Sequence, residues 1–129
     1  MQLLLDTHVL LWALGDVARL DDATRDALED PANEVFFSAA SIWEIAIKAR
    51  LGRVDFDRRP GEVARGARAT GFVELPVRAD AAERVEALPL HHRDPFDRLL
   101  VAQAMTGPLR LYTADAALTR YSELVMLVG

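Results

Sequence analysis

Leu3-Leu4-Leu5 is a short apolar run that stops abruptly at Asp6. Such a run, without polar alternation, fits a parallel strand covered on both faces. Val9, Leu10, Trp12, Ala13 and Leu14 then suit a short helix closed by Gly15. Asp21-Asp22 opens a second helix reaching Glu29, and Asp30-Pro31 marks its end. Val35-Phe36-Phe37 reads as a second strand. Ser38 or Ser41 starts a further helix, whose Ile42, Ile45, Ala46 and Ala49 recur at three- and four-residue spacing until Leu51-Gly52.

Pro60 suits a first helical turn and leads a helix to Thr70-Gly71. Phe72 to Leu75 is a strand, and Arg78 to Leu88 a helix. Asp94-Pro95 begins the clearest helix, with Phe96, Leu99, Leu100, Ala102, Gln103 and Ala104, ended by Gly107-Pro108. Leu109 to Thr113 is a strand, Ala116 to Arg120 a short helix, and Leu124 to Leu127 a last strand. Strands alternating with helices in this way predict an α/β sandwich with a mainly parallel sheet. No repeat, low-complexity tract or linker interrupts the pattern, so residues 1–129 read as one continuous domain. Ligands of such sheets sit beyond the carboxyl ends of the strands, which directs attention to that rim.

Composition narrows the chemistry. The chain has 129 residues, 51% hydrophobic and 27% charged, within the range of globular domains. It has no cysteine, which excludes disulfides, thiolate metal sites and cysteine nucleophiles. The N-terminus lacks the pattern of a signal peptide and no apolar stretch is long enough for a membrane span, so a soluble, cytoplasmic chain with no membrane contact is expected. The net charge of −5 argues against a coat for nucleic acid. Its distribution is uneven, because Lys48, Arg50, Arg53, Arg58, Arg59, Arg65 and Arg68 fall close together against only Asp55, Asp57 and Glu62. That stretch is either a solvated helical face or a phosphate-steering or partner-binding patch. Lys48 is the only lysine.

Asp6, Glu44, Asp97 and Asp115 each fall at a strand end or one turn into the helix that follows. Two like charges ~4 Å apart repel by about 4 kcal/mol at an effective dielectric near 20, so acids gathered on one rim call for a cation. Carboxylate oxygen is the ligand that Mg²⁺ and Mn²⁺ prefer. Each acid also has a local explanation. Asp6 and Asp115 could cap the helices after them. Glu44 stands three residues after Ser41, a capping-box spacing, and four before Lys48, an ion-pair spacing. Asp94 before Pro95 is a strong N-cap, and Asp97 complements the helix dipole.

Four segments, read together, resemble the PIN-domain family and, within it, the VapC-type ribonuclease toxins of bacterial toxin–antitoxin systems. They are Leu4-Leu5-Asp6-Thr7-His8, Ser38-Ala39-Ala40-Ser41-Ile42-Trp43-Glu44-Ile45, the stretch from His92 through Asp94-Pro95-Phe96-Asp97-Arg98 to Ala104, and Tyr112-Thr113-Ala114-Asp115. The resemblance implies a three-layer α/β/α sandwich around a sheet of about five strands. It also implies a Mg²⁺- or Mn²⁺-dependent endoribonuclease leaving a 5′-phosphate and a 3′-hydroxyl, with an RNA substrate, a cognate antitoxin and a homodimer as partners. On the matching positions Asp6, Glu44, Asp97 and Asp115 would form the catalytic, metal-binding site. Asp6 and Asp97 would be the principal ligands, with Glu44 and Asp115 completing a second metal position or binding through water. Thr7 and Thr113 would orient a ligand or the attacking water, and Asp94 is retained as a cap. His92 reads as a loop or capping histidine or as a phosphate contact, and Arg98 as a further group able to position RNA. The apolar residues around Trp12, Trp43 and Ile47 read as core, with a partner's groove or dimer surface as the alternative.

Other classes fit less well. A response-regulator receiver needs an acidic pair after its first strand and a lysine near its end, and a phosphate-binding Gly-x-x-x-x-Gly-Lys loop is missing. A metal-dependent phosphatase and a non-catalytic RNA- or partner-binding module of the same shape remain as alternatives.

Overall fold

The protein is described by a computed structural model covering residues 1–128. Five strands form one sheet: β1 (Gln2–Leu5), β2 (Glu34–Ser38), β3 (Val73–Leu75), β4 (Arg110–Thr113) and β5 (Val125–Leu127). Their order across the sheet is β3-β2-β1-β4-β5, and all neighbouring pairs are parallel. Six α-helices connect them: α1 (Thr7–Gly15), α2 (Asp22–Glu29), α3 (Ala39–Arg50), α4 (Pro60–Thr70), α5 (Ala79–Arg84) and α6 (Pro95–Thr106). Short 3₁₀ turns occur at 17–19, 54–56, 85–87 and 116–120.

Alternation along β1 builds two cores from three consecutive leucines, because successive strand side chains point to opposite faces. Leu3 and Leu5 enter a core with Val9, Leu10, Phe37, Ile45, Phe56, Val63 and Phe72. Leu4 points the other way, to Leu100, Val101, Leu109, Leu111, Leu118 and Val125. Helices α1, α3 and α4 therefore cover one face and α5 and α6 pack together on the other, giving the expected three layers. At ~25 cal/mol per Å² of buried apolar surface, a leucine sealed on both sides contributes about 2 kcal/mol or more.

Two predicted helices differ in detail. The segment read as one helix from Arg78 to Leu88 tightens into a 3₁₀ turn after Arg84, and the one at Ala116–Arg120 is 3₁₀ throughout. Two further 3₁₀ turns, at 17–19 and 54–56, are too short to leave a periodic signal. Helix α4 ends as predicted at Gly71, whose φ of 99° is left-handed backbone that favours glycine.

The chain runs outward from β1 through β2 to β3, then returns to the other side of β1 with β4. The direction of winding reverses between β1 and β4, and the loops leaving their carboxyl ends diverge there to open a crevice. Asp6 leaves the first of these strands and Asp115 follows the second.

Candidate active site

The crevice between β1 and β4 is an open cleft of about 430 Å³ lined by Asp6, His8, Trp12, Asp97, Ala114, Asp115 and Ala116. Three of the four predicted acids thus share one wall, although 91 residues separate Asp6 from Asp97. Asp6 caps α1: its Oδ1 accepts from the Val9 N–H at 2.8 Å and its Oδ2 from the Thr113 hydroxyl at 2.5 Å. Burial pushes its carboxyl up from the ordinary range, against those two hydrogen bonds. Asp115 caps the following 3₁₀ turn through the Ala117 N–H at 3.0 Å. Thr113 both donates to Asp6 and accepts from the Asp115 N–H at 3.0 Å, fastening the two strand ends together.

Asp97 is placed by Asp94, whose Oδ1 accepts from the N–H groups of Phe96 and Asp97 at the start of α6. The predicted cap at Asp94 is therefore present. No hydrogen bond to the Asp97 carboxylate is found among the described residues, its nearest base being His92 Nε2 at 3.7 Å. Burial, followed by the charges of Asp94, Asp6 and Glu44, pushes the Asp97 carboxyl up to about 7. It is an acid crowded by acids and left without a donor. A hard divalent cation is the group that would relieve that crowding, so the donor set fits one.

His92 stands closer to this chemistry than a loop histidine would. Its Nε2 is 2.7 Å from Asp115 Oδ2, and its ring nitrogen, Asp97 and Asp115 offer ligand atoms all within 4.8 Å of one another. Its Nδ1, however, accepts the Asp94 N–H at 3.0 Å. A nitrogen that accepts from a backbone N–H holds a lone pair, so the ring proton sits on Nε2 and is donated to Asp115. Of that trio, His92 presents a proton and the two aspartates present oxygens.

Glu44 does not line the cleft, although its charge acts on both Asp6 and Asp97. It is buried, its Oε1 accepting from the Thr7 hydroxyl at 2.6 Å and its Oε2 from the Lys48 ammonium at 2.5 Å. Lys48 also reaches Asp94 Oδ2 at 3.4 Å. Burial disfavours the Lys48 charge, but Glu44 and Asp94 outweigh it and raise its affinity for the proton. Thr7, predicted to orient a ligand, is spent on Glu44 and lies 3.0 Å from Ser41 Oγ.

Arg98 is committed to its own loop. Its Nη1 donates to the carbonyls of Pro89 and His92 and to the Tyr121 hydroxyl, and its Nη2 to those of Val85 and Leu88. The arginine predicted to touch RNA instead pins the segment that carries His92. Trp43 also departs from expectation. Read as core, it is 59% exposed, with its ring against the edge of Phe96 at 5.0 Å, and Ala46 and Ile47 are exposed beside it.

Sequence reasoning passed over two members of the site. His8 lines the cleft, its Nε2 3.0 Å from Asp55 and its ring against Trp12 and Phe56. Its signal was its place two residues beyond Asp6 in the first motif. Lys48 was visible only as a helix ion pair of Glu44, although being the sole lysine marked it out. The arginine-rich stretch is largely solvated, with Arg68 on Glu74 and Arg53 near Asp55, while Arg58 lines a groove that shares His8 and Trp12 with the cleft.

The sequence matches the PIN domain family over residues 3–124. The chain belongs to the PIN-domain family. Among solved structures it resembles VapBC2 from Rickettsia felis, bound to a DNA fragment from its promoter, with a TM-score of 0.71, 15% identity and coverage of 98% of this chain and 97% of that one. A toxin–antitoxin complex from Klebsiella pneumoniae gives a TM-score of 0.60 and 24% identity over 96% and 95% of the two chains. FitAcB from Neisseria gonorrhoeae gives 0.58 and 18% over 98% and 96%. Identity at these levels is a likeness of fold. A search of curated sequences finds no match. Among the described residues, no helix is long and apolar enough to cross a membrane.

Proposed function

We propose that the protein is a divalent-metal-dependent endoribonuclease and the toxin of a toxin–antitoxin pair. The observation that carries this reading is the cleft itself, where Asp6, Asp97 and Asp115 meet at the carboxyl edge of a parallel sheet. Asp6, Asp97 and Asp115 would hold a Mg²⁺ or Mn²⁺ ion. When bound, the ion supplies the Lewis acidity that activates a water and offsets charge developing on the phosphate.

The chain's own residues do the positioning. Thr113 and the Val9 N–H fix the Asp6 carboxylate, and His92 fixes that of Asp115. Asp97, free of such partners, keeps its oxygens for the ion and for water. An open cleft admits a polymer from either side, which suits an internal phosphodiester; a 5′-phosphate and a 3′-hydroxyl are the ends that the family resemblance implies.

A chain of the same fold solved as a toxin–antitoxin complex supports a protein antitoxin as partner. Exposed Trp43, Ile47, Leu51 and Val54 support a protein partner on the α3 side as well, a second copy of the chain among them. The test is RNA cleavage with Mg²⁺ or Mn²⁺, with EDTA, and with Asp6→Asn, followed by sequencing of the released ends. Cleavage that needs the metal and vanishes in Asp6→Asn is expected. Mn²⁺ uptake without any RNA turnover would point instead to a non-catalytic binding module.

A further inference from the structure

The four acids near the cleft are satisfied in three different ways. Asp6 and Asp115 receive neutral donors: a backbone N–H and the Thr113 hydroxyl for the first, a backbone N–H and the His92 ring for the second. Neutral donors hold a carboxylate in place but leave its full charge for an ion to meet. Asp97 receives no hydrogen bond among the described residues. Glu44 alone is matched by a fixed positive charge, the Lys48 ammonium at 2.5 Å.

That pairing is built, not incidental. The Glu44 side chain is 3% exposed and that of Lys48 15%. The ammonium lies between two carboxylates, Glu44 and Asp94, and over the rings of Phe56 at 5.0 Å and Phe96 at 5.7 Å. Every one of these neighbours attracts a cation. Glu44 does not line the cleft, whereas Asp6, Asp97 and Asp115 do. A divalent ion on Glu44 would have to share that carboxylate with the Lys48 ammonium already on it.

We propose that Lys48 is the site's built-in second cation: it holds Glu44 out of contact with the metal, so the cleft takes one divalent ion, on its Asp6–Asp97–Asp115 side. The inference rests on the metal-dependent reading of the cleft and assigns the stoichiometry of that site. Glu44 then acts as a strut that fastens α3 to Thr7 of α1, and Lys48 ties α3 to the Asp94 cap of α6.

Calorimetric titration with Mn²⁺, paired with the electron paramagnetic resonance signal of free Mn²⁺, counts the ions without reference to catalysis. Wild type is expected to bind one Mn²⁺ per chain. Glu44→Gln should keep that stoichiometry with an affinity loss of no more than about tenfold, because its charge acts on the site only through space. Asp97→Asn should lose about a hundredfold or more. Lys48→Met exposes Glu44 to a new partner, so a second, weaker Mn²⁺ is expected, and Lys48→Met/Glu44→Gln should remove it. Where Lys48→Met does not fold, as judged by circular dichroism, the Glu44→Gln and Asp97→Asn pair decides alone. Two ions on wild type, or a loss in Glu44→Gln that parallels Asp97→Asn, overturns the role of Lys48 and leaves the metal site standing. Absence of any Mn²⁺ uptake by wild type overturns the metal reading and this inference with it.

Discussion

At the scale of single residues, charge without a partner is what distinguishes this site. Asp97 has a carboxyl raised from 3.8 to about 7, burial being the largest cause. An acid whose folded-state value lies above its unfolded one favours the folded state while protonated. Its contribution is complete below about pH 4 and lost as pH rises through 7. The metal-free protein is therefore expected to lose up to roughly 4 kcal/mol across that window, in thermal melts taken in EDTA. Asp97→Asn, neutral throughout, should flatten the curve and melt higher than wild type at pH 8. A wild-type melting curve flat from pH 4 to 8 would contradict this account. His92 offers a second test, because its role lies in one proton on Nε2. The amide of Gln reaches about as far as Nε2, so His92→Gln should retain most cleavage, whereas His92→Ala should lower kcat by about 10-fold or more with KM for RNA little changed. Equal losses in both variants would argue against a donor role. That Asp6, Asp97 and Asp115 share one rim was legible from the sequence because each follows a strand or stands in the first turn of a helix, whereas Glu44, in the second turn of α3, lies off the cleft. The Glu44–Lys48 pair was legible because both share one helix at ion-pair spacing, whereas the contact of His92 with Asp115 was not, since the two meet only through the fold.

At the scale of elements, helix starts were read well because their signals are local. Asp6, Asp21, Ser38, Asp94 and Asp115 all cap, each accepting from a backbone N–H within three residues. Local explanation and site chemistry turn out to be compatible, since Asp6 and Asp115 cap and still face the cleft. The segment from Val85 to Arg93 was poorly legible because one remote side chain shapes it. Arg98 gathers four of its carbonyls, those of Val85, Leu88, Pro89 and His92, along with the Tyr121 hydroxyl, and Tyr121 in turn accepts from the N–H groups of His91 and His92. A planar fork with parallel donors can do this and an ammonium cannot. Arg98→Lys is therefore expected to destabilise the protein by about 2 kcal/mol and to raise amide hydrogen exchange selectively in residues 85–93. Uniform protection across that segment in the variant would contradict the clamp. Trp43 was misread for a related reason: helical spacing shows which residues share a face, and only packing shows whether that face is covered.

At the scale of the whole molecule, strand number and parallel direction followed from the alternation of strands and helices and three-layer packing from the family resemblance, whereas the order β3-β2-β1-β4-β5 required coordinates. That order has a thermodynamic consequence. It brings the acids of β1, β4 and α6 to the one place where the sheet's winding reverses, so folding itself concentrates negative charge that the unfolded chain keeps apart. A ligand bound only by the folded state stabilises it by about 2.7 kcal/mol when present at a hundred times its dissociation constant. For a chain of this length that corresponds to a rise in Tm of roughly 8–12 °C. Saturating Mn²⁺ at pH 7.5 is expected to produce a shift of that order in wild type, and Asp97→Asn should show little or none. Glu44→Gln discriminates further: with Glu44 matched by Lys48, it should keep at least about half of the wild-type Mn²⁺-induced shift, well above that of Asp97→Asn, even if its starting Tm differs. Sodium chloride at matched ionic strength is the control for screening, which acts on all surface charges and should move wild type and Asp97→Asn alike. If salt alone reproduced the Mn²⁺ shift, the acids would be acting as a diffuse field and not as a site.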